Sequence, residues 1–160
     1  MTKRHVYDSC QKQVQIPTGQ PLSPEKLALH EAAHAIVTGH LGRRVIWVEI
    51  EPEAGRGQMV PETPWLSATR QSAADDLLIA MAGSAAQCKY EGKTPYQWTD
   101  EGIRDREVAE SLAAEFDLDA HDFSKVSEIL DRTEIWAKIN ALADLLINRR
   151  RIESCETEYF

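Results

Sequence analysis

The sequence predicts a mainly α-helical domain of the α+β class with one small β-hairpin. Three observations support this prediction. Several segments with helical periodicity are bounded by capping or breaking residues, one β-branched run is followed by a turn, and the 160 residues contain no repeats. Residues 1–22 are polar and carry prolines and a glycine without periodicity, so we expect an extended N-terminal arm there and a single domain over residues 23–160.

The first helix is predicted from the residues at its two ends. Ser23 is a suitable N-cap, and Pro24 suits the first helical position. Apolar residues then recur at helical spacing to about Leu41, and Gly42 is of the residue type that most often follows the end of a helix.

The hairpin is predicted directly after this helix. Residues 44–51 are rich in β-branched side chains and partly alternate between apolar and polar, which is typical of a strand. Residues 52–57 contain one proline and two glycines and suit a turn. Residues 58–60 are predicted to return as a short second strand that Pro61 closes.

Helices account for most of the remaining sequence. We predict a second helix over about residues 67–90 and a third that contains residues 105–116. A last helical region is predicted over about residues 124–151, because its apolar residues recur at helical spacing. We interpret the arginines at 149–151 as the cationic end of that helix, where positive charge complements the helix dipole.

The charge and the cysteines argue against several classes of protein. The formal net charge of −8 argues against a nucleic-acid binder, because phosphate neutralisation needs a basic face. Cys10, Cys88 and Cys155 lie far apart and form no CxxC pair, which favours a reduced, cytoplasmic chain. The start of the chain is polar, without a signal peptide, and the longest apolar stretch, residues 77–86, is too short to span a bilayer. We therefore expect a cytoplasmic protein without nucleic-acid or membrane partners.

An HExxH motif lies within the first predicted helix, at His30, Glu31 and His34. Residues four apart on a helix differ by about 40° and share a face, so both imidazoles can bind one zinc ion. Glu31 would lie beside the metal, where it can act as general base and accept a proton from a water that the zinc has made more acidic. The motif predicts a zincin-like metallopeptidase.

The sequence pattern leaves the third protein ligand of the zinc open. Catalytic zinc usually has three protein ligands and one open position. His40 has the spacing of the last histidine in HExxHxxGxxH, but Val37 stands at the glycine position. In an unbroken helix His40 would lie about 280° round from His30, away from the metal. The acidic candidates, among which spacing alone does not choose, are Asp75, Asp76, Asp100, Glu101, Asp105 and Glu107.

The sequence resembles the peptidase domain of the FtsH-type metalloproteases. HEAAHAIV at 30–37 resembles that family's HEAGHAIV, and VIWVEIEPEAGRGQMVP at 45–61 resembles the hairpin that follows it. AMAGSAAQ at 80–87 is similar to the family's small-residue helix, usually of the form LGGRAAE. GIRDREVA at 102–109 resembles the family's SNDxxxA segment, whose aspartate is the third zinc ligand. The resemblance implies that His30, His34 and Asp105 bind Zn²⁺.

The chain also departs from the family pattern. Ala33 replaces the motif glycine, and Ser84 and Gln87 replace the charged arginine and glutamate of the small-residue helix. There is no GxxxxGK[ST] phosphate loop, so an ATPase module is not expected. The resemblance therefore implies an ATP-independent zinc peptidase that hydrolyses peptide bonds in a peptide or protein substrate.

Three alternatives remain at the level of sequence. The first is a zinc-binding regulatory or interaction module without turnover. The second is a regulatory protease of the ImmA/IrrE type, since REVAESLAAEF at 106–116 is similar to the acidic ligand helix of those proteins and would make Glu107 the third ligand. The third is a helical structural protein in which HEAAH arises by chance.

Overall fold

The computed structural model describes residues 23–63 and 69–160, and the predicted N-terminal arm, residues 1–22, lies outside the described residues. Within the described part the chain is mainly helical, as predicted. The α-helices are α1 (Pro24–His40), α2 (Arg70–Glu91), α3 (Ile103–Phe116), α4 (Ser124–Leu130) and α5 (Thr133–Arg149). Strands β1 (Val45–Glu51), β2 (Arg56–Pro61) and β3 (Arg151–Glu153) form a small antiparallel sheet in the order β2-β1-β3.

Helix α1 is the central element of the core. It begins as predicted, with Pro24 in its first turn and the Ser23 hydroxyl accepting a hydrogen bond from the Lys26 N–H at 3.2 Å. It continues unbroken to His40, and Gly42 then adopts a left-handed φ of +78°. Residues 27–38 are all buried, because α1 packs against α2 and α5 and also beneath β1 and β2. A helix that is buried on every side belongs to the core rather than to the surface.

Helix α2 packs along α1 through small side chains. A reciprocal capping box between Thr69 and Ser72 starts it, and Gly92, with a φ of +67°, follows its last residue. The middle of the helix, residues 79–88, is buried throughout and consists largely of alanine, glycine and serine. Such side chains allow two helix backbones to approach closely, so α2 packs tightly against α1.

The sheet has one strand more than the sequence predicts. The predicted hairpin is present, with Val48 of β1 opposite Met59 of β2, but Val48 also faces Ile152 of β3. All three of these side chains are buried, and the Ile50 N–H donates to the Arg150 carbonyl at 2.8 Å. Burial of Ile152 against β1 therefore carries the end of the chain into the sheet.

This third strand corrects the prediction of one helical region over residues 124–151. Helix α4 ends at Leu130, and α5 ends at Arg149 because Arg150 adopts a positive φ of 68°. Arg151 lies on β3, where it pairs with Glu153 at 2.7 Å and lies 4.1 Å above the Trp47 ring. The arginine cluster is therefore split between a helix end and a strand, and only Arg149 lies in the last helical turn.

Helix α3 follows a short 3-10 turn, Asp100–Gly102, and contains the predicted residues 105–116. It packs against α2, and α5 packs against α1 through a buried apolar stripe. The stripe consists of Ile135, Ile139, Leu142, Ala143 and Leu146.

Within residues 23–63 and 69–160, no helix has both the length and the apolar character that crossing a bilayer requires.

The contact between α5 and α1 makes a measurable contribution to stability. Ile139 is fully buried, so we expect Ile139→Ala to lower the free energy of unfolding by about 2–5 kcal/mol through lost burial and the cavity it leaves. The matched control is Ile103→Ala, because Ile103 is a helical isoleucine that is 50% exposed, and we expect a change within about 0.5 kcal/mol. Urea unfolding measures both values, and equal losses in the two variants would contradict this account of the core.

Candidate metal centre

The two histidines of the HExxH motif lie side by side in the interior. His30 and His34 are one helical turn apart on α1, only 5% and 6% exposed, and their ring centroids are 4.7 Å apart in an edge-on arrangement. The helical phase thus places both imidazoles on one face, as the motif predicts.

Asp105 joins them from the first turn of α3. Its Oδ2 lies 2.9 Å from Nε2 of His30 and 3.2 Å from Nε2 of His34. The structure therefore brings together the three side chains that the family resemblance implies as zinc ligands. Because 29% of the Asp105 side chain is exposed while both imidazoles are buried, the group opens to solvent on the Asp105 side.

The opposite edge of each imidazole is held by α2. Nδ1 of His34 lies 2.7 Å from the Ile79 carbonyl oxygen, which can only accept a hydrogen bond. Nδ1 of His30 lies 3.1 Å from Oε1 of Gln87, which is also an acceptor. Both Nδ1 atoms therefore donate, so in the neutral rings both Nε2 lone pairs point at the Asp105 carboxylate. Three electron-pair donors facing one another require a cation between them, either a proton or a metal ion.

The donor set suits a transition-metal ion. Two imidazole nitrogens and one carboxylate oxygen are ligands that zinc commonly takes, and the ligand atoms of the three residues all lie within 4.8 Å of one another. Their separations of 2.9 and 3.2 Å approach the roughly 3.3 Å that two ligand bonds of about 2.0–2.1 Å give at a tetrahedral angle. Outer hydrogen bonds that hold each imidazole by its other nitrogen are also characteristic of metal-binding histidines.

Electrostatics couple the members of the group. Burial alone would lower the pKa of His34, but the charge and hydrogen bond of Asp105, together with the Glu31 charge and the Ile79 carbonyl, outweigh it and raise the pKa of His34 to about 9. Burial would raise the pKa of Asp105, but the neighbouring histidines hold it well below its usual range. These shifts favour a proton shared between His34 and Asp105 as the cation of the metal-free protein.

Glu31 lies beside this group, and burial and the neighbouring charges affect its carboxyl group as well. Its side chain is 7% exposed, and burial raises the pKa of its carboxyl group, opposed by the charges of His34 and His30. Gly57 of β2 packs directly against it, since a Cβ at residue 57 would lie 2.7 Å from Glu31 Oε1. Because glycine has no side chain, the Glu31 carboxylate can occupy the space next to residue 57.

Gly83 of α2 has the corresponding role for His30. A Cβ at residue 83 would lie 2.4 Å from His30 Nε2, closer than any ordinary contact. The glycine in AMAGSAAQ is thus a requirement of the site as well as of helix packing, and the pattern of small residues alone does not predict this contact.

The other candidate ligands lie elsewhere. His40 is exposed at the end of α1, because the helix does continue unbroken and turns it away. Glu107 is exposed, since two residues along α3 rotate a side chain by about 200° from Asp105. Asp75 and Asp76 pair with Arg43. Asp100 and Glu101 are exposed on the 3-10 turn before α3. Among the described residues, His30, His34 and Asp105 are the one group of at least three such side chains that can share an ion.

Sequence comparison adds no assignment of its own. The sequence matches no known protein-family profile, and no curated protein is significantly similar to it. The resemblance to FtsH-type peptidases therefore stays a prediction carried by the motif residues and their arrangement.

Replacing Gly83 tests the geometry of the first ligand. We expect Gly83→Ala to weaken zinc binding at least about tenfold, because the added methyl group displaces the His30 imidazole from its position. The matched control is Gly39→Ala on α1, where the new Cβ would meet its nearest neighbour, Phe160 Cα, at an ordinary 3.6 Å. Competition with a chromogenic chelator measures both affinities, and wild-type affinity in Gly83→Ala would contradict this account.

The proton held by His34 makes metal binding depend on pH. The pKa of about 9 in the folded protein lies above the ordinary 6.5, so at pH 6.5–8.5 an incoming metal ion must displace this proton. We expect zinc affinity to rise with pH by about tenfold per unit over this range and to level off above about pH 9. Calorimetry in two buffers of different ionisation enthalpy should show about one proton released per zinc at pH 7.5. Binding without proton release would show that His34 is neutral in the metal-free protein.

Proposed function

We propose that this protein is a zinc-dependent metallopeptidase of the FtsH type that acts without an ATPase module. The observation that carries the proposal is the convergence of His30 Nε2, His34 Nε2 and Asp105 Oδ2, with Glu31 buried beside them. An inert metal site needs its ligands only, whereas a hydrolytic site also needs a base.

The residues present fit zinc. His30, His34 and Asp105 would hold it, and the exposed side of Asp105 leaves room for water and substrate to approach. When bound, zinc supplies Lewis-acid polarisation of the peptide carbonyl and makes a coordinated water more acidic. In this proposal the protein uses one ion of this kind and no organic cofactor.

Glu31 is the proposed general base. Burial raises the pKa of its carboxyl group, so its carboxylate is a stronger base than an exposed glutamate. It would accept a proton from the attacking water and deliver the same proton to the nitrogen of the leaving amine. Gly57 keeps the carboxylate in place from the sheet side, because no side chain competes for that space.

Strand β2 is the proposed platform for the substrate. β1 is paired on both sides, so within the described residues the free edge beside α1 belongs to β2. Gly57, on that strand, contacts Glu31, so an extended peptide that pairs with β2 would run past the base and the metal ligands. This geometry favours an unfolded peptide or protein segment as substrate over a small molecule.

The expected compartment and partners follow from composition and thiol state. Cys88 and Cys155 are free thiols, which suits a reducing compartment, and we propose a cytoplasmic location. The net charge of −8 continues to argue against a nucleic-acid partner.

Two substitutions separate metal binding from catalysis. We expect Asp105→Ala to bind zinc more than about 100-fold more weakly, since a direct ligand contributes at least as much as the groups that orient it. We expect Glu31→Gln to retain one zinc per chain and to cleave fluorogenic peptides about 10²–10⁴-fold more slowly than wild type, because the base is lost and the ligands are kept. Elemental analysis and a peptide-cleavage assay measure the two properties.

Matched controls and contrary outcomes make this test decisive. Asp144→Ala on α5 and Glu53→Gln in the hairpin turn replace exposed acids and should leave both properties unchanged. Wild-type protein that takes up no zinc at neutral pH would overturn the metalloenzyme proposal. Zinc binding without any peptide cleavage would indicate the alternative of a binding module, and cleavage that survives Glu31→Gln would remove Glu31 from the role of base.

A further inference from the structure

A chain of hydrogen bonds runs from His30 through α2 to the loop before α3. Gln87 Oε1 accepts from His30 Nδ1 at 3.1 Å and from the Thr99 hydroxyl at 2.5 Å. The Thr99 N–H donates to Ser84 Oγ at 3.2 Å, and the Ser84 and Thr99 hydroxyl oxygens are 3.1 Å apart. Gln87 and Ser84 are 2% and 0% exposed, so solvent does not reach these groups and their hydrogen bonds are made within the protein.

The directions of these hydrogen bonds are determined by the donors available. The single hydroxyl proton of Thr99 is donated to Gln87, whose Oε1 has none to give. Ser84 must then donate its own proton to Thr99 Oγ1, while its oxygen accepts from the Thr99 N–H. With this arrangement Gln87 Oε1 is held as an acceptor toward His30, and His30 can only present Nδ1–H to it.

The same chain lies against the segment that carries the third ligand. Gly102 packs against Ser84 so closely that a Cβ there would lie 2.2 Å from Ser84 Oγ. Gly102 is followed directly by α3, whose first turn carries Asp105. Thr99 therefore connects the support of His30 to the start of the helix that supplies Asp105.

We propose that Gln87 and Thr99 are positioning residues that hold His30 in its Nδ1–H form and thereby set the affinity of the site for its metal ion. Neither residue touches the metal position, and both act through His30. Because Gln87 is a neutral amide, it orients the ring without adding a third negative charge to the carboxylates of Glu31 and Asp105. This inference rests on the proposed function, since it concerns the same metal site.

The test compares zinc affinities with the state of the His30 ring. We expect Gln87→Ala to bind zinc about 10–100-fold more weakly, and Thr99→Val to show a loss toward the lower end of that range. Gln87→Glu keeps the acceptor and Thr99→Ser keeps the hydroxyl. We therefore expect both variants to bind zinc no more than about threefold more weakly than wild type. Chelator competition gives the affinities of the full chain.

Proton–nitrogen NMR of the histidine side chains provides a second, independent measurement. We expect a protected Nδ1–H signal from His30 in the wild type, in Gln87→Glu and in Thr99→Ser. The signal should shift or exchange away in Gln87→Ala and Thr99→Val, whereas that of His34, held by the Ile79 carbonyl, should stay. Thr133→Val, at an exposed position on α5, is the control for replacing a threonine.

The outcomes distinguish this inference from the proposed function. If folded Gln87→Ala and Thr99→Val bind zinc within twofold of wild type and keep the His30 signal, the positioning role is overturned while the peptidase proposal stands. If Gln87→Ala does not fold, Thr99→Val against Thr99→Ser decides. If the wild type binds no zinc, both proposals fail. If it binds zinc with the expected losses in the variants but cleaves no peptide, the positioning role holds and the peptidase proposal fails.

Discussion

The hydrogen bonds that α2 accepts from His30 and His34 are the interaction on which the rest of the site depends. Two imidazoles on a helix buried all round would each carry the cost of an unsatisfied polar group, roughly 1–3 kcal/mol, if nothing accepted their Nδ1–H. The Ile79 carbonyl and Gln87 remove that cost, and in doing so they turn both Nε2 atoms toward Asp105. The contacts that satisfy the buried imidazoles and those that orient their Nε2 atoms toward Asp105 are therefore the same contacts.

Close approach of the backbone is the second requirement, and it explains why glycine appears where helix propensity argues against it. A glycine inside a helix costs about 1 kcal/mol relative to alanine, yet Gly83 lies in the middle of α2. A methyl group there would overlap the His30 ring, and one at residue 57 would overlap the Glu31 carboxylate. The local loss of stability is offset by packing around α1, where alanines such as Ala32 and Ala33 are fully buried.

Local sequence signals predict the helices and the hairpin, whereas the third ligand candidate, strand β3 and the contact of Gln87 with His30 depend on residues far apart in the chain. Ser23, Pro24 and Gly42 marked both ends of α1, and the four-residue spacing placed His30 and His34 on one face. Only the family resemblance points to Asp105, because separation along the chain does not reveal which acidic residue folds back onto α1. Strand β3 was missed because it is three residues long and is determined by the burial of Ile152 against Val48. The support that Gln87 gives to His30 spans 57 residues and had no local signal beyond an uncharged residue at a position where the family carries glutamate.

The order of the three strands determines which of them lies beside Glu31. Because β1 pairs with β3 on one side and with β2 on the other, β2 lies at one edge of the sheet within the described residues, and its Gly57 contacts Glu31 of α1. The short connection between α1 and β1, closed by Gly42, is what returns the hairpin over the motif helix. The HExxH side chains of α1 and the strand β2 that packs on them thus come from one continuous stretch of sequence, and α3 brings the Asp105 carboxylate to them. A peptide aligned by backbone hydrogen bonds to β2 would therefore be positioned by the same hairpin that holds Glu31 in place.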